Sequence, residues 1–365
     1  MTLARRILLP PLAAAVFLAG CSAASPQAAP FSVQESGGSL AESLYELICA
    51  APEEVFGPKP TSENFHDATR RIALECKSTV PERANAGRTV EAFSRCFFSR
   101  LGFCANPALH SPDALFPHDV ASAGRGSCLA VSGLYMAAAE HLGLPVHGVL
   151  VPGHFFIRFD DGRTRFNIET LHAGRRFSDG WYAERYRVPR NSACYLRNLA
   201  PEEVGAVFWF NAGNTARSAG NYDFARSAYM KAIAVLPGFA EAHGNLGLLL
   251  AETGDVEGAL VELRAAAALN PLDPAAHLNL GALLWRSGSL NEAAAACRKG
   301  LSLAPRHPEL LCSLGVLRLQ QGRTREAVTL LRRAAAIRPS YELAEKALEE
   351  ALKRRKYPVE QPQNQ

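Results

Sequence analysis

The 365-residue chain has little excess charge: 39 Lys and Arg stand against 35 Asp and Glu, a formal +4. Arg5 and Arg6 fall in an N-terminal leader, and without them 37 basic residues face 35 acidic ones. So even a balance gives no reason to expect a nucleic acid or another polyanion as partner. Long apolar runs are scarce too, since nothing after the leader reaches the ~18–20 residues that span a bilayer. The sequence also lacks a CxxC pair, a His-rich metal spacing, a glycine-rich phosphate loop and paired catalytic carboxylates. Kinases, glycosidases and metalloenzymes are thereby set aside, and neither a metal nor another cofactor is expected. What the chain does have is apolar residues, 48% of the total, enough for more than one domain core.

The leader is distinctive. "MTLARR" is basic, "ILLPPLAAAVFL" is apolar, and "LAG" brings small residues up to Cys21. A cysteine directly after Leu-Ala-Gly resembles the lipobox of bacterial lipoproteins, in which that cysteine is acylated and becomes the new N-terminus. The resemblance implies a signal peptide over 1–20, lipidation at Cys21 and a cell-envelope protein held to a membrane by its lipid. Ser22, rather than an aspartate, points to the periplasmic face of the outer membrane. Residues 21–39, rich in Ser, Ala, Pro and Gly, have the composition of a flexible tether. Eight cysteines remain after Cys21. An envelope setting permits disulfides, Cys49–Cys76 or Cys96–Cys104 among them, but spacing leaves the connectivity open.

Periodicity organises residues 204–341. Pro237, Pro271, Pro305 and Pro339 are each 34 residues apart. The same step relates Gly213, Gly247, Gly281 and Gly315, then Gly220, Gly254, Gly288 and Gly322, then Ala225, Ala259, Ala293 and Ala327. The first glycine and the alanine allow two helices to approach closely. The second glycine makes the turn between them, and the proline ends the second helix. Period and pattern are similar to the tetratricopeptide repeat, a helix–turn–helix unit, here in four copies. Residues 342–357 then read as a capping helix and 358–365 as a tail. Repeat residues pack the solenoid, so function falls to its concave surface, where a protein or peptide would bind. His243, Asn245, His277 and Asn279 are the groove-lining candidates.

Residues 40–200 read as helices followed by α+β structure. "LAESLYELICAAP", "SENFHDATRRIALECKS" and "TVEAFSRCFFSRLGF" have helical apolar spacing. Gly126 or Ser127 caps "SCLAVSGLYMAAAEHL", and Gly143 ends it. Cys128 thus falls in the first helical turn, where unpaired N–H groups and the helix dipole favour an anion, the reactive form of a thiol. "VHGVLV", "HFFIRFD" and "TRFNIET" read as strands. With Asp161-Gly162 as a two-residue hairpin turn, Asp160 faces Arg163, His154 faces Glu169 and Asn167 faces Phe156, all on one face for the last two pairs. A helix-start thiol, an imidazole and a carboxylate that orients it are the parts of a thiol acyl-transfer site. Asn167 is the alternative third residue. His118, in the loop ahead of the nucleophile helix, is a candidate to line the cleft, with nothing in the sequence that fixes it there. His141 and His147 are read as surface or helix-end residues, and Arg158 and Asp160 as a solvated strand edge.

From about Ala92 to Glu169 the chain resembles the transglutaminase-like superfamily, in the bacterial branch often followed by tetratricopeptide repeats. The order "LGF…N", a glycine before the helix, "GLP" and "PGHF" carries the resemblance. It implies a papain/transglutaminase-like α+β domain over 40–200, ahead of the all-α repeat solenoid at 204–341. It also implies a Cys-His-carboxylate arrangement on Cys128, His154 and Glu169. The backbone N–H of Cys128 would be one oxyanion donor. The chain departs from the wider superfamily in having glutamate where aspartate is usual and Phe155 where tryptophan usually follows the histidine. Many members of this branch lack the cysteine. Two functions therefore stand: a thiol protease, amidase or transamidase acting on amide bonds, with repeats that bind partner or substrate, or a non-catalytic envelope scaffold built on the repeats.

Overall fold

The computed structural model describes residues 39–82, 84–106 and 112–356. The leader, Cys21, nearly all of the tether and the 358–365 tail lie outside the described residues. Two compact units divide the chain, one Ser36–Leu249 and the other including Leu250–Gln365.

The first unit opens with helices α1 (Leu40–Ala50), α2 (Glu53–Phe56), α3 (Ser62–Lys77) and α4 (Ala86–Arg95). Ser39 and Glu42 form a reciprocal capping box on α1, which buries Leu40, Leu44, Leu47 and Ile48 at helical spacing. Thr61 and Asn85 cap α3 and α4 through their side chains. A π-helical turn, Cys96–Arg100, extends α4 as the sequence pattern indicates. A short strand β1 (Cys104–Ala105), helix α5 (Pro117–Ala123) and strand β2 (Arg125–Gly126) lead into α6 (Cys128–Glu140). Side chains Leu129 to Ala139 of α6 are all buried, so this is the central helix of the domain rather than an amphipathic one. Ser127, not Gly126, is its cap, accepting from the Ala130 N–H at 3.1 Å. Gly126 is needed for space, because a Cβ there would lie 2.4 Å from Val120 Cγ2. The helix stops at Glu140 with His141 as cap, and Gly143, at φ 63°, turns the chain two residues after that cap.

Three antiparallel strands follow in the order β3 (Val146–Val151), β4 (His154–Asp160), β5 (Arg165–Ile168). The turn Pro152-Gly153 joins β3 to β4, pairing Val151 with His154. The β4–β5 hairpin departs from the register expected with Asp161-Gly162 as its turn: Asp160 pairs with Arg165 and Arg158 with Asn167. The turn is centred on Gly162-Arg163 instead: the Asp161 N–H donates to Thr164 O at 3.2 Å, and the Asp161 carboxylate accepts from the N–H groups of Arg163 and Thr164. The register is therefore shifted by two residues. Side chains alternate with a period of two, so Glu169 still emerges on the face of His154.

After α7 (Asp179–Arg185) the chain is helical: α8 (Pro201–Ser218), α9 (Tyr222–Val235), α10 (Ala240–Thr253), α11 (Val256–Leu269), α12 (Pro274–Arg286), α13 (Leu290–Leu303), α14 (Pro308–Gln320), α15 (Thr324–Ile337) and α16 (Glu342–Lys356). The expected repeat logic is visible residue by residue. Gly220, Gly254, Gly288 and Gly322 all take positive φ, 81°, 95°, 89° and 76°, at the turns inside the helix pairs. A Cβ at Gly213 would lie 2.7 Å from the Tyr229 ring, at Gly281 2.9 Å from Cys297 Sγ, and at Gly315 2.7 Å from Leu331. Ala225, Ala259, Ala293 and Ala327 are fully buried. The last helix, α16, buries Ala344, Ala347 and Ala351 and ends in four basic residues that favour its C-terminal dipole. The eight described cysteines are free thiols. Neither Cys49–Cys76 nor Cys96–Cys104 is joined: Cys76 has Cys96 as its thiol neighbour, and Cys49 and Cys104 are exposed.

Candidate active site

Cys128 occupies the first position of α6, half-buried, with its backbone carbonyl accepting from Thr170 Oγ1 at 3.4 Å. Ser132, one turn along α6, reaches Thr170 Oγ1 at 3.1 Å, so the end of the sheet is fastened to the start of the helix. His154, the first residue of β4, lies close enough to the Cys128 thiol for the two to influence each other's charge, and it is hydrogen-bonded to Glu169. Its Nε2 meets Glu169 Oε2 at 2.8 Å. Glu169 follows directly after β5 and is almost wholly buried. Its Oε1 accepts from the Leu171 N–H at 3.0 Å, and its Oε2 accepts from Tyr182 Oη at 2.8 Å as well as from His154.

Burial by itself would lower the His154 pKa. The nearby Cys128 thiol and the hydrogen-bonded, charged Glu169 carboxylate outweigh it and raise the value to about 9. Burial would likewise raise Glu169, but the hydrogen bonds from His154, Leu171 and Tyr182 and the His154 charge hold it below the ordinary carboxylate value. An imidazole with this affinity for a proton, placed between a thiol and a buried carboxylate, is equipped to accept the thiol proton and return it.

Two tyrosines complete the surroundings. Tyr186 lies flat against His154, ring centroids 4.9 Å apart and planes 8° apart. Tyr182 stacks on Phe156 at 3.7 Å while donating to Glu169. The expectations from sequence did not include either residue. A signal was there: "WYAERY" sets Tyr182 and Tyr186 four apart, on one face of a helical turn.

Several other expectations are corrected. Asn167 opposes Arg158 rather than Phe156, and its side chain is committed away from His154. Its Oδ1 accepts from Arg158 Nε at 2.7 Å, and its Nδ2 donates to Phe177 O and Asp179 Oδ1. Arg158 is not a solvated edge residue but fully buried, with its guanidinium also bound to Leu196 O, Asn198 Oδ1 and Asp179 Oδ1. Five donors in a planar fork let one arginine satisfy that many acceptors. Asp160 is half-buried and accepts from Asn198 Nδ2 and the Gly162 N–H. His118 stacks on Phe116 and lies 3.2 Å from Asp119 Oδ1; burial pushes its pKa down to about 4. His141 is where it was expected, exposed at the end of α6, where it bonds Thr69 Oγ1 at 2.9 Å.

In the repeats, His243 and His277 stand one period apart and play the same part. Each puts Nε2 against a proline carbonyl six residues back, Pro237 O at 3.1 Å and Pro271 O at 3.2 Å. They brace the turn into the first helix of a repeat, and His277 is buried there instead of lining an open groove. Asn245 donates to Asn214 Oδ1 at 2.7 Å, and Asn279 is half-buried. Among the described residues no group of three or more His, Cys, Asp or Glu is set to hold a metal ion.

Residues 63–201 match the family model of the transglutaminase-like superfamily. The chain carries a transglutaminase-like domain. Tetratricopeptide-repeat models match 210–263, 248–288 and 273–340, so repeats follow that domain. Among curated proteins the chain is similar to the UPF0162 protein of two Xylella fastidiosa strains. The identity is 26% in both, over 213 and 212 residues, covering 55% of this chain and 75% of the relatives. Among solved structures, MamA protein aligns with a TM-score of 0.38 at 19% identity, covering 43% of this chain and 97% of MamA. YrrB, described as a TPR protein with an unusual peptide-binding site, aligns at 0.37 and 24% identity, covering 41% and 81%.

Proposed function

We propose that the transglutaminase-like domain is a thiol acyl-transfer enzyme acting on amide bonds, with the repeats as receptor for a protein partner or substrate. The arrangement that carries this reading is His154 set beside the Cys128 thiol while Glu169 Oε2 holds its Nε2 at 2.8 Å. In the reaction His154 takes the Cys128 proton and the thiolate adds to the amide carbonyl. The C–N bond then breaks, and the amine leaves with the proton that His154 returns, giving a thioester on Cys128. His154 next deprotonates a water, for hydrolysis, or an amine, for transamidation, and the thioester is resolved. Glu169 keeps the imidazole oriented and stabilises its protonated form. Attachment to the envelope through lipid on Cys21 is part of the proposal and is supported by the lipobox-like "LAGC".

Alkylation by iodoacetamide at pH 6–7 tests the site. Cys128 should label faster in the wild type than in His154→Ala; equal rates, or no labelling at Cys128, refute the catalytic reading. Complementation of a deletion strain by Cys128→Ala would instead establish the non-catalytic scaffold.

A further inference from the structure

We infer that Glu241, from the first helix of the second repeat, is a positioning residue for His154, fixing the turn from which His154 leaves. The inference rests on the thiol site proposed above and adds to it a residue contributed by the repeats. The Gly153 N–H donates to Glu241 Oε1 at 3.0 Å, and Tyr195 Oη donates to Glu241 Oε2 at 2.5 Å. Gly153, at φ 71°, is the second residue of the Pro152-Gly153 turn and the immediate neighbour of His154. Its N–H lies beyond the last β3–β4 pair, Val151 with His154, so without Glu241 it would fall to water. A carboxylate acceptor makes the contact stronger than a neutral one.

Glu241 is itself held firmly. Tyr195 is bridged by its backbone to Leu150 of β3, so the carboxylate is tied to the β3–β4 hairpin at two places. Just ahead of α10, the Gly238 carbonyl accepts from Cys194 Sγ at 3.0 Å. Phe239 and Ala242 on either side of Ala240-Glu241 are buried in the core shared with Phe155 and Leu150. Glu241 also lies in the first turn of α10, where the helix dipole favours a carboxylate. The His154 ring has narrow tolerances: Cys128, Glu169, Tyr182 and Tyr186 all bear on it. Movement of its Cα loosens the hydrogen bond to Glu169 and the approach to Cys128 together.

The test uses full-length protein with isotope-labelled histidine, the His154 resonance being identified by its loss in His154→Gln. In Glu241→Ala the His154 titration midpoint should fall by about one pH unit as its raising contacts loosen. Alkylation of Cys128 should slow roughly tenfold, the cost of a small misplacement. Glu241→Gln keeps an acceptor for Gly153 and should hold the wild-type midpoint. An unmoved midpoint in Glu241→Ala overturns the inference. So does an equal shift in Glu241→Gln, which would mean that the charge acts through space. If Glu241→Ala does not fold, Tyr195→Phe serves in its place, with a smaller downward shift expected and no shift overturning the idea. The ring titration does not depend on thiol reactivity. An unreactive Cys128 with a shifted midpoint would therefore refute the enzyme reading and leave Glu241 in its role.

Discussion

His154 Nε2 and Tyr182 Oη converge on one oxygen, Glu169 Oε2, each at 2.8 Å. The carboxylate is thus satisfied from inside the domain and can remain charged while buried. Its charge is also part of what raises His154 to about 9.

The pH dependence of Glu169→Gln follows from that coupling. The His154 pKa is raised above its ordinary 6.5, so the stability it contributes is complete below about 6.5 and lost as pH climbs through about 9. Glu169 is depressed, so its contribution is present above the ordinary carboxylate value and lost as pH falls through the lowered one. Both partners are charged near pH 6, where the variant should be less stable by on the order of 2 kcal/mol. At pH 10 the gap should narrow. Urea unfolding at the two pH values measures it, and a gap that does not change with pH contradicts the coupling.

Arg158→Ala should cost about 3 kcal/mol, because it strands the Asn167, Asn198 and Leu196 acceptors around an emptied buried site. Part of the guanidinium's balance is with Asp179, which is partly exposed and can turn to water. Chemical denaturation decides the matter: a loss under about 0.5 kcal/mol would show that water replaces the network.

Helix α8 contains its own control for the repeat packing. A Cβ at Gly205 meets nothing within 4 Å, whereas one at Gly213 lies 2.7 Å from the Tyr229 ring. Tyr229 cannot swing aside freely, since its hydroxyl donates to Asn214 Oδ1 at 2.8 Å. Gly205→Ala should therefore stabilise by roughly 0.5–1 kcal/mol through helix propensity. Gly213→Ala should destabilise by about 1–2 kcal/mol through overpacking. Melting temperatures moving in the same direction for both would disprove the close approach.

Much of this protein was legible in local pattern. The 34-residue step located every turn glycine and packing alanine, because each repeat buries the same face against its neighbours. Helix-start chemistry placed Cys128 at the head of α6, and strand alternation put His154 and Glu169 on one face. That last inference survived a wrong register, since a slip of two residues returns every side chain to its own side. The slip itself was invisible from "DDGRT", where Asp161-Gly162 is a ready turn pair but the Asp161 carboxylate, accepting from the Arg163 and Thr164 N–H groups, favours a turn one residue later.

Residue identities and their periods, then, determined the two-part architecture, the repeat turns and the shared face of the thiol site. Only the tertiary structure decided that Arg158 is buried, that Tyr182 and Tyr186 enclose His154, and that Glu241 grips the turn before it. The physical reason is the range of the interactions. Periodicity reports which side of a helix or strand faces inward. An arginine's burial depends on acceptors that the folded chain brings from Asn167, Asp179 and Asn198, and the Gly153–Glu241 contact joins residues 88 positions apart.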